Sequence, residues 1–313
     1  MKKIYVFIVG LFLMTSISQD ACAQTPQEYE SVDLGLPSGI LWATTNVGGI
    51  RPDSLGNYFM WGDAEIPYLC DWYHYKWQNK IVKIEGYDEP MLTKYNFSKE
   101  FGSVVDNLFF IQKEDDPASV IMGGDWRTPS RIECQEMIDA CTWTIYNGAI
   151  VQKKNYGPTP LVIFHGVSKV NGNSIDFACG GYSTMMSYSP DAPTFLSLCN
   201  YGYYWTSNLN LKDARAAIYM YFGTAPSTER GYSDPFIRGV DGSPGQLAAP
   251  SNRCLGYQIR GVKGNMLPDA IIEHKTSIIN DANAPIFDAT GKRVKNMNKA
   301  GLYLHKGKKY IVH

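Results

Sequence analysis

Residues 123–143 read GGDWRTPSRIECQEMIDACTW. Acids, arginines and cysteines crowd around one helix start, which is how an active site can look, so the stretch must be sorted into framework and chemistry. Ser130 with Glu133 three residues on forms a capping box, and Pro129 just ahead is disfavoured inside a helix and marks where it begins. Ile132, Cys134, Met137, Ile138 and Cys141 recur largely at helical spacing, so the helix buries a face that contains both cysteines. An unactivated cysteine on such a face behaves as a small hydrophobe rather than a nucleophile. Trp126 reads as core. Arg127 reads as one half of a structural pair, with Asp125, Glu133 or a backbone carbonyl as the other. On this reading Trp126, Arg127, Ser130, Glu133, Cys134 and Cys141 are structural residues.

Outward from the helix, the chain changes character on each side. Val32, Leu34 and Leu36 alternate, Pro37-Ser38-Gly39 turns, and residues 40–47 read as a second strand, giving an early hairpin. YFMWGD at 58–63 is too short for a helix and fits a strand end or a packed loop. Residues 67–117 show neither a period of 2 nor one of 3.6 and read as a long ordered loop with little regular structure. Beyond Trp143 helix is scarce, and strands are expected at 161–165, 174–178, 203–207, 216–222 and 256–262. Residues 264–283 read as a connector, with 270–272 as a candidate strand, and 284–313 as a small β module.

Lys2 and Lys3, the apolar stretch 4–17 and Ala21-Cys22-Ala23 form a secretory signal peptide over residues 1–23, followed by a polar linker at 24–31. The apolar stretch is too short to span a bilayer comfortably, and no later segment offers the roughly 20 apolar residues that a membrane helix needs. A net charge of −1 gives no sequence-wide field to draw nucleic acid or an anionic membrane. Cys70, Cys134, Cys141, Cys179, Cys199 and Cys254 follow the leader, an even set in an oxidising compartment. Cys134 and Cys141 cannot bridge each other, being separated by about 10 Å of helix rise. The absence of C-x-x-C spacing leaves a zinc ribbon or thioredoxin-like motif without support.

Three candidate chemistries remain. Trp72, Tyr73, Tyr75 and Trp77 are dense in a loop and either stack against sugar rings or anchor the loop to the body. Glu114, Asp115 and Asp116 offer clustered carboxylates, either a calcium site or a solvated acidic turn; no other cofactor is expected. His74, His165, His274, His305 and His313 are scattered without metal-ligand spacing.

Three widely spaced motif groups also stand in order: VDLGLPSGILWA with YFMWGD, then EDDPASVIMGGDWRTPSRIECQEMI, then YYWTS with GYQIRGV. Together, over residues 32–263, they resemble the Fibrobacter succinogenes major paralogous domain family, abundant in secreted proteins of gut Bacteroidetes. The resemblance implies an α+β, C-type lectin-like fold with few helices, short antiparallel strands and long loops, and it transfers no catalytic residues. Formylglycine-generating enzymes share that broad fold and bind copper through two cysteines, but their motif is not reproduced here. The sugar-binding E-P-N or Q-P-D runs of calcium-dependent lectins are absent as well. Departures from the family pattern are Cys134, where tryptophan is common, and Asp176 and Cys179 in a segment usually more apolar; they leave room for a disulfide involving Cys179. IFDATGKRV and GLYLHKGKKYIV near the C-terminus resemble type IX secretion sorting domains. The expectation is therefore a secreted or cell-surface binding protein, not an enzyme, with a glycan or a surface protein as partner. A metal- or cysteine-dependent modifying enzyme on the same scaffold and a pilus-associated structural component are the alternatives.

Overall fold

The computed structural model describes residues 28–84, 86–153, 157–186, 189–196, 198–199, 201–224, 235–238 and 251–266, and strand segments at 286–288, 293–294, 301–305 and 308–312. The expected leader, most of the 264–283 connector and its candidate strand at 270–272 lie outside these residues.

The N-terminal hairpin forms from β1 (Ser31–Asp33) and β2 (Leu41–Asn46), paired antiparallel with Val32 opposite Trp42. The chain then winds through YFMWGD, where Gly62 adopts a φ of +70° and carries the turn that a β-carbon would strain. Within the region expected to be irregular, a regular hairpin appears: β3 (Gln78–Ile84) and β4 (Tyr87–Leu92) pair antiparallel. Their lysines, acids and Pro90 hid the pattern, because a two-stranded ribbon with little buried area needs no apolar alternation. A 3-10 turn (Lys113–Asp115) and a π-helical turn (Ala118–Met122) lead to the short β5 (Trp126–Arg127) and to α1 (Arg131–Ala140).

At Cys141 the helix turns directly into a long strand, β6 (Cys141–Lys153), which continues as an antiparallel meander through β7 (Gly157–Ser168) and β8 (Ser174–Ala178). A hairpin of β9 (Tyr182–Met186) and β10 (Ser189–Leu196) follows. Next come β11 (Tyr201–Leu209), β12 (Ala216–Thr224), β13 (Pro235–Arg238) and β14 (Ser251–Asn252), joined in one sheet centred on β12. Finally β15 (Arg260–Lys263) returns to lie between β2 and β5, so the two ends of this body share a four-stranded sheet. Among the described residues every pairing between named strands is antiparallel, two isolated parallel bridges join Gly181 to Gly202 and Tyr204 to Gln258, and the class is β-rich α+β. Strands β16 (Ile286–Asp288), β17 (Arg293–Val294), β18 (Gly301–His305) and β19 (Lys308–Val312) form a separate sheet that shares no strand with the rest among the described residues.

Two buried clusters hold the body together. In one, Cys134 and Met137 of α1 meet Trp42, Phe164, Phe177, Tyr204 and Phe222. In the other, Phe59, Trp61, Tyr75, Tyr95, Trp205 and Tyr257 pack together, and Trp205 stacks on Tyr257 at 4.2 Å between centroids. The two clusters are each pinned by a buried arginine. Arg253 donates to the Tyr75 hydroxyl and to the carbonyls of Tyr95, Ala214 and Lys94, and Arg260 donates to Asn46 Oδ1 and to the carbonyls of Ala43, Thr44 and Asp176. Carbonyl dipoles and aromatic faces thus take the place of a carboxylate, which suits guanidinium because it is planar and weakly hydrated. Among the described residues no helix is long and apolar enough to cross a membrane.

Candidate functional site

The motif around α1 closes on itself. Arg127 donates both terminal nitrogens to the Glu133 carboxylate at 2.7 Å each and its Nε to the Gly264 carbonyl at 3.0 Å. Of the three partners the sequence offered, Glu133 and a carbonyl are used, and Asp125 stays exposed. Glu133 also accepts from the Ser130 amide at 2.8 Å, while the Ser130 hydroxyl caps the Glu133 amide, so one carboxylate serves both the helix cap and the ion pair. Cys134 and Cys141 are buried; burial pushes the first thiol well up and the second up to about 11, which leaves neither as a thiolate near neutral pH. Beside this motif lies a cleft of about 510 Å³ bordered by Ile111, Lys113, Asp125, Trp126, Ser207 and Met266. On its wall the buried Ser207 hydroxyl has no protein partner.

The acidic run 114–116 does not gather into a cation site. The Lys94 ammonium lies 2.5 Å from Asp115 and 3.4 Å from Glu114, so a lysine already stands where calcium would have to. Asp115 also accepts from the Tyr95 hydroxyl at 2.5 Å. Asp116 turns away to accept from the Thr128 amide and hydroxyl and from the Ala118 amide. In the structure Glu114 and Asp115 act as ion-pair groups of Lys94, and Asp116 closes the loop onto Thr128 and Ala118. Among the described residues no group of three or more His, Cys, Asp or Glu side chains could hold a metal ion.

The aromatic loop divides. Tyr75 is 2% exposed, its hydroxyl donating to the Trp61 carbonyl at 2.7 Å and accepting from Arg253, so it belongs to the core and not to a binding face. Trp77 is half-buried, donates Nε1 to the Gly62 carbonyl, and carries the ammonium groups of Lys76 and Lys94 about its ring at 5.0 and 4.9 Å. Those contacts make Trp77 a packing residue too. Trp72 and Tyr73 remain available. Trp72 is half-buried and meets Tyr75 edge-on at 5.5 Å. Tyr73 is 57% exposed and donates its hydroxyl to Asp88 at 2.9 Å.

Trp72 borders a cleft of about 420 Å³ shared with Asp88, Glu89, Asp213, Arg215 and Asn252, a volume in the small-ligand range of about 300–1,000 Å³. These residues come from β4, from the turn between β11 and β12, and from β14. Arg215 grips Asp213 through Nε at 2.9 Å and one terminal nitrogen at 2.7 Å, reaches Glu89 with the other, and lies over the Phe101 ring at 5.0 Å. Asp88 accepts from Lys83 at 2.7 Å and from Tyr73, and these two hydrogen bonds hold its carboxyl below the ordinary value. Three carboxylates against the Arg215 guanidinium and the Lys83 ammonium beside Asp88 leave the cleft with one net negative charge. Sequence reasoning found Trp72 and Tyr73 but none of the five polar partners, which lie up to 180 positions away and carry no shared spacing. The only local signal was the Asp88-Glu89-Pro90 run. No protein-family model, curated protein or solved structure matches the chain.

Proposed function

We propose that this chain is an exported binding protein whose Trp72 cleft holds a neutral, polyhydroxylated ligand, a glycan. The observation that carries the reading is the convergence of an indole, three carboxylates, a guanidinium and an amide in one open cleft. Sugar hydroxyls donate to carboxylates and accept from guanidinium and amide N–H, while the C–H face of the ring packs on an indole. The net negative lining disfavours phosphorylated, sulfated or sialylated ligands.

A binding role fits the chemistry better than catalysis. Asp88 is shifted downward, opposite to the shift a general acid needs, and Glu89 and Asp213 are both tied to Arg215. Supporting the C-type lectin-like reading and membership of the Fibrobacter succinogenes major paralogous domain family, the quoted motifs meet in the core. Trp42, Trp61, Trp126, Trp205 and Arg260 are all buried, and Trp61 and Trp205 each donate to the other's motif, to the carbonyls of Thr206 and Phe59 at 2.8 Å. They form a shared framework, on which the cleft is a separate feature. The leader at 1–23 directs export, and the C-terminal sheet serves sorting or anchoring.

The test is a panel of neutral and anionic oligosaccharides against the secreted chain, followed by titration of the best ligand into Trp72→Ala. Binding of a neutral glycan that falls at least tenfold in the variant is expected. A preference for anionic glycans, no binding at all, or full affinity in Trp72→Ala would overturn the reading. Surface localisation after deletion of residues 284–313 tests the tail, with loss of anchoring as the expected result.

A further inference from the structure

All six cysteines at and beyond position 70 are buried and unbridged in the structure, but they are not equivalent in their surroundings. The Cys199 amide donates to the Cys179 carbonyl at 2.9 Å. The two positions flank the β9–β10 hairpin in step with its register, in which Tyr182 faces Leu196, so the backbones approach one another as a disulfide requires. Both thiols are enclosed, at 0% and 3% exposure, and are close enough to sense each other's charge. Cys199 also holds a φ of +69°, the left-handed region where a β-carbon is disfavoured and glycine or asparagine is usual. A cysteine at such a position is costly unless its sulfur contributes something. The pair closes the base of the β9–β10 hairpin, and Cys179 is itself anchored to β7 through its amide on the Val162 carbonyl at 2.8 Å.

A separate observation links Cys70 and Cys254. Both belong to the cluster around Trp61, and the Cys70 sulfur packs so close to Gly256 that a β-carbon there would stand 2.6 Å from it. Cys254 is two residues away on that same turn, and its thiol also senses the charge of Cys70. Cys134, by contrast, lies within α1, and Cys141 lies past its end at the start of β6.

We propose that the mature protein carries two disulfides, Cys179–Cys199 and Cys70–Cys254, and keeps Cys134 and Cys141 as thiols. Each bridge forms by exchange with a disulfide-donating oxidant. One cysteine thiolate attacks the donor disulfide to give a mixed disulfide, the second attacks its sulfur from the protein side, and the donor leaves as a dithiol carrying both electrons and both protons. Burial pushes the Cys70 thiol up to about 11 and raises those of Cys179 and Cys254, so exchange takes place while the chain folds, before the core closes. The proposal rests on the export reading in one respect: the donor has to be met in an oxidising compartment.

The full chain is refolded from denaturant in mixed reduced and oxidised glutathione, alkylated at low pH in denaturant, digested without reduction and mapped by mass spectrometry. Linked peptides joining positions 179 with 199 and 70 with 254 are expected, with Cys134 and Cys141 alkylated. Alkylation of all six, or linkage in other combinations, would overturn the proposal. Cys199→Ser supplies a second readout: denatured, it should present one more reactive thiol than the unsubstituted chain, at Cys179, and a count one lower, as loss of a free Cys199 would give, sinks that bridge even if folding is impaired. A parallel culture expressing the chain with its own leader separates the two ideas. Bridges in the refolded chain without export defeat only the export reading, whereas exported protein without bridges defeats this one.

Discussion

Arg127 and Arg215 make the same fork-shaped grip on a carboxylate, and the molecule uses the two in opposite ways. Arg127 holds Glu133, which is fully buried, and the same carboxylate caps a helix, so the acid is enclosed and committed to the framework. Arg215 holds Asp213 and Glu89 at 26–37% side-chain exposure on the rim of a cleft. Identical chemistry is sealed framework where water is excluded and, in the binding role we propose, recognition surface where water can be displaced. The depth of the carboxylate, rather than the presence of the pair, decides which.

The largest effect should come from breaking the enclosed fork. Arg127→Met leaves Glu133 buried without its charge partner, and a loss of about 3–5 kcal/mol is expected in urea-melt free energies. Ser130→Ala removes one arm of the same network and should cost about 1 kcal/mol; a negligible change would mean that the capping box contributes little. On the open side, Arg215→Met should change stability by less than about 1 kcal/mol, because partly exposed pairs are screened, while glycan affinity falls. A stability loss as large as that of Arg127→Met would erase the contrast.

Acid titration sharpens it further. Asp63, in the WGD turn, has its carboxyl raised chiefly by burial, whereas the Asp88 carboxyl is lowered by its hydrogen bonds to Lys83 and Tyr73. A raised folded value means that Asp63 supports the fold below its unfolded value of about 3.9 and loses that support as pH rises through its folded value. A lowered one means that Asp88 supports the fold above about 3.9 and loses that support as pH falls through its folded value. Melting temperatures of Asp63→Asn and Asp88→Asn, compared with the parent chain across about pH 3–6, should therefore diverge in opposite directions as acid is added. Parallel curves would show that the two carboxyls do not differ in this way.

What the sequence made legible was local. The capping box, the buried cysteine face and the first hairpin depend on residues within a few positions of one another, and spacing alone reports them. The β3–β4 ribbon escaped because its stability does not come from an apolar face, and β6 escaped because the chain passes from α1 into a strand at Cys141 with no turn residues between. Within the aromatic loop, Trp72 and Tyr75 are three positions apart, yet one borders a cleft and the other lies under Arg253. Composition could mark that stretch as aromatic but could not say which rings the body would take, since that depends on segments beyond position 200. The cleft's acids and arginine were unreadable for the same reason.

The sheet that joins β1 and β2 to β15 also has a consequence in time. Trp42 waits for Val262, and Asn46 for Arg260, across more than 210 residues of intervening chain. Pairings this remote make folding slow, since loop closure must precede the contacts that reward it. A chain delivered N-terminus first cannot complete its central sheet until almost the whole body has emerged. Until then it stays unclosed, with its buried aromatic faces open to water.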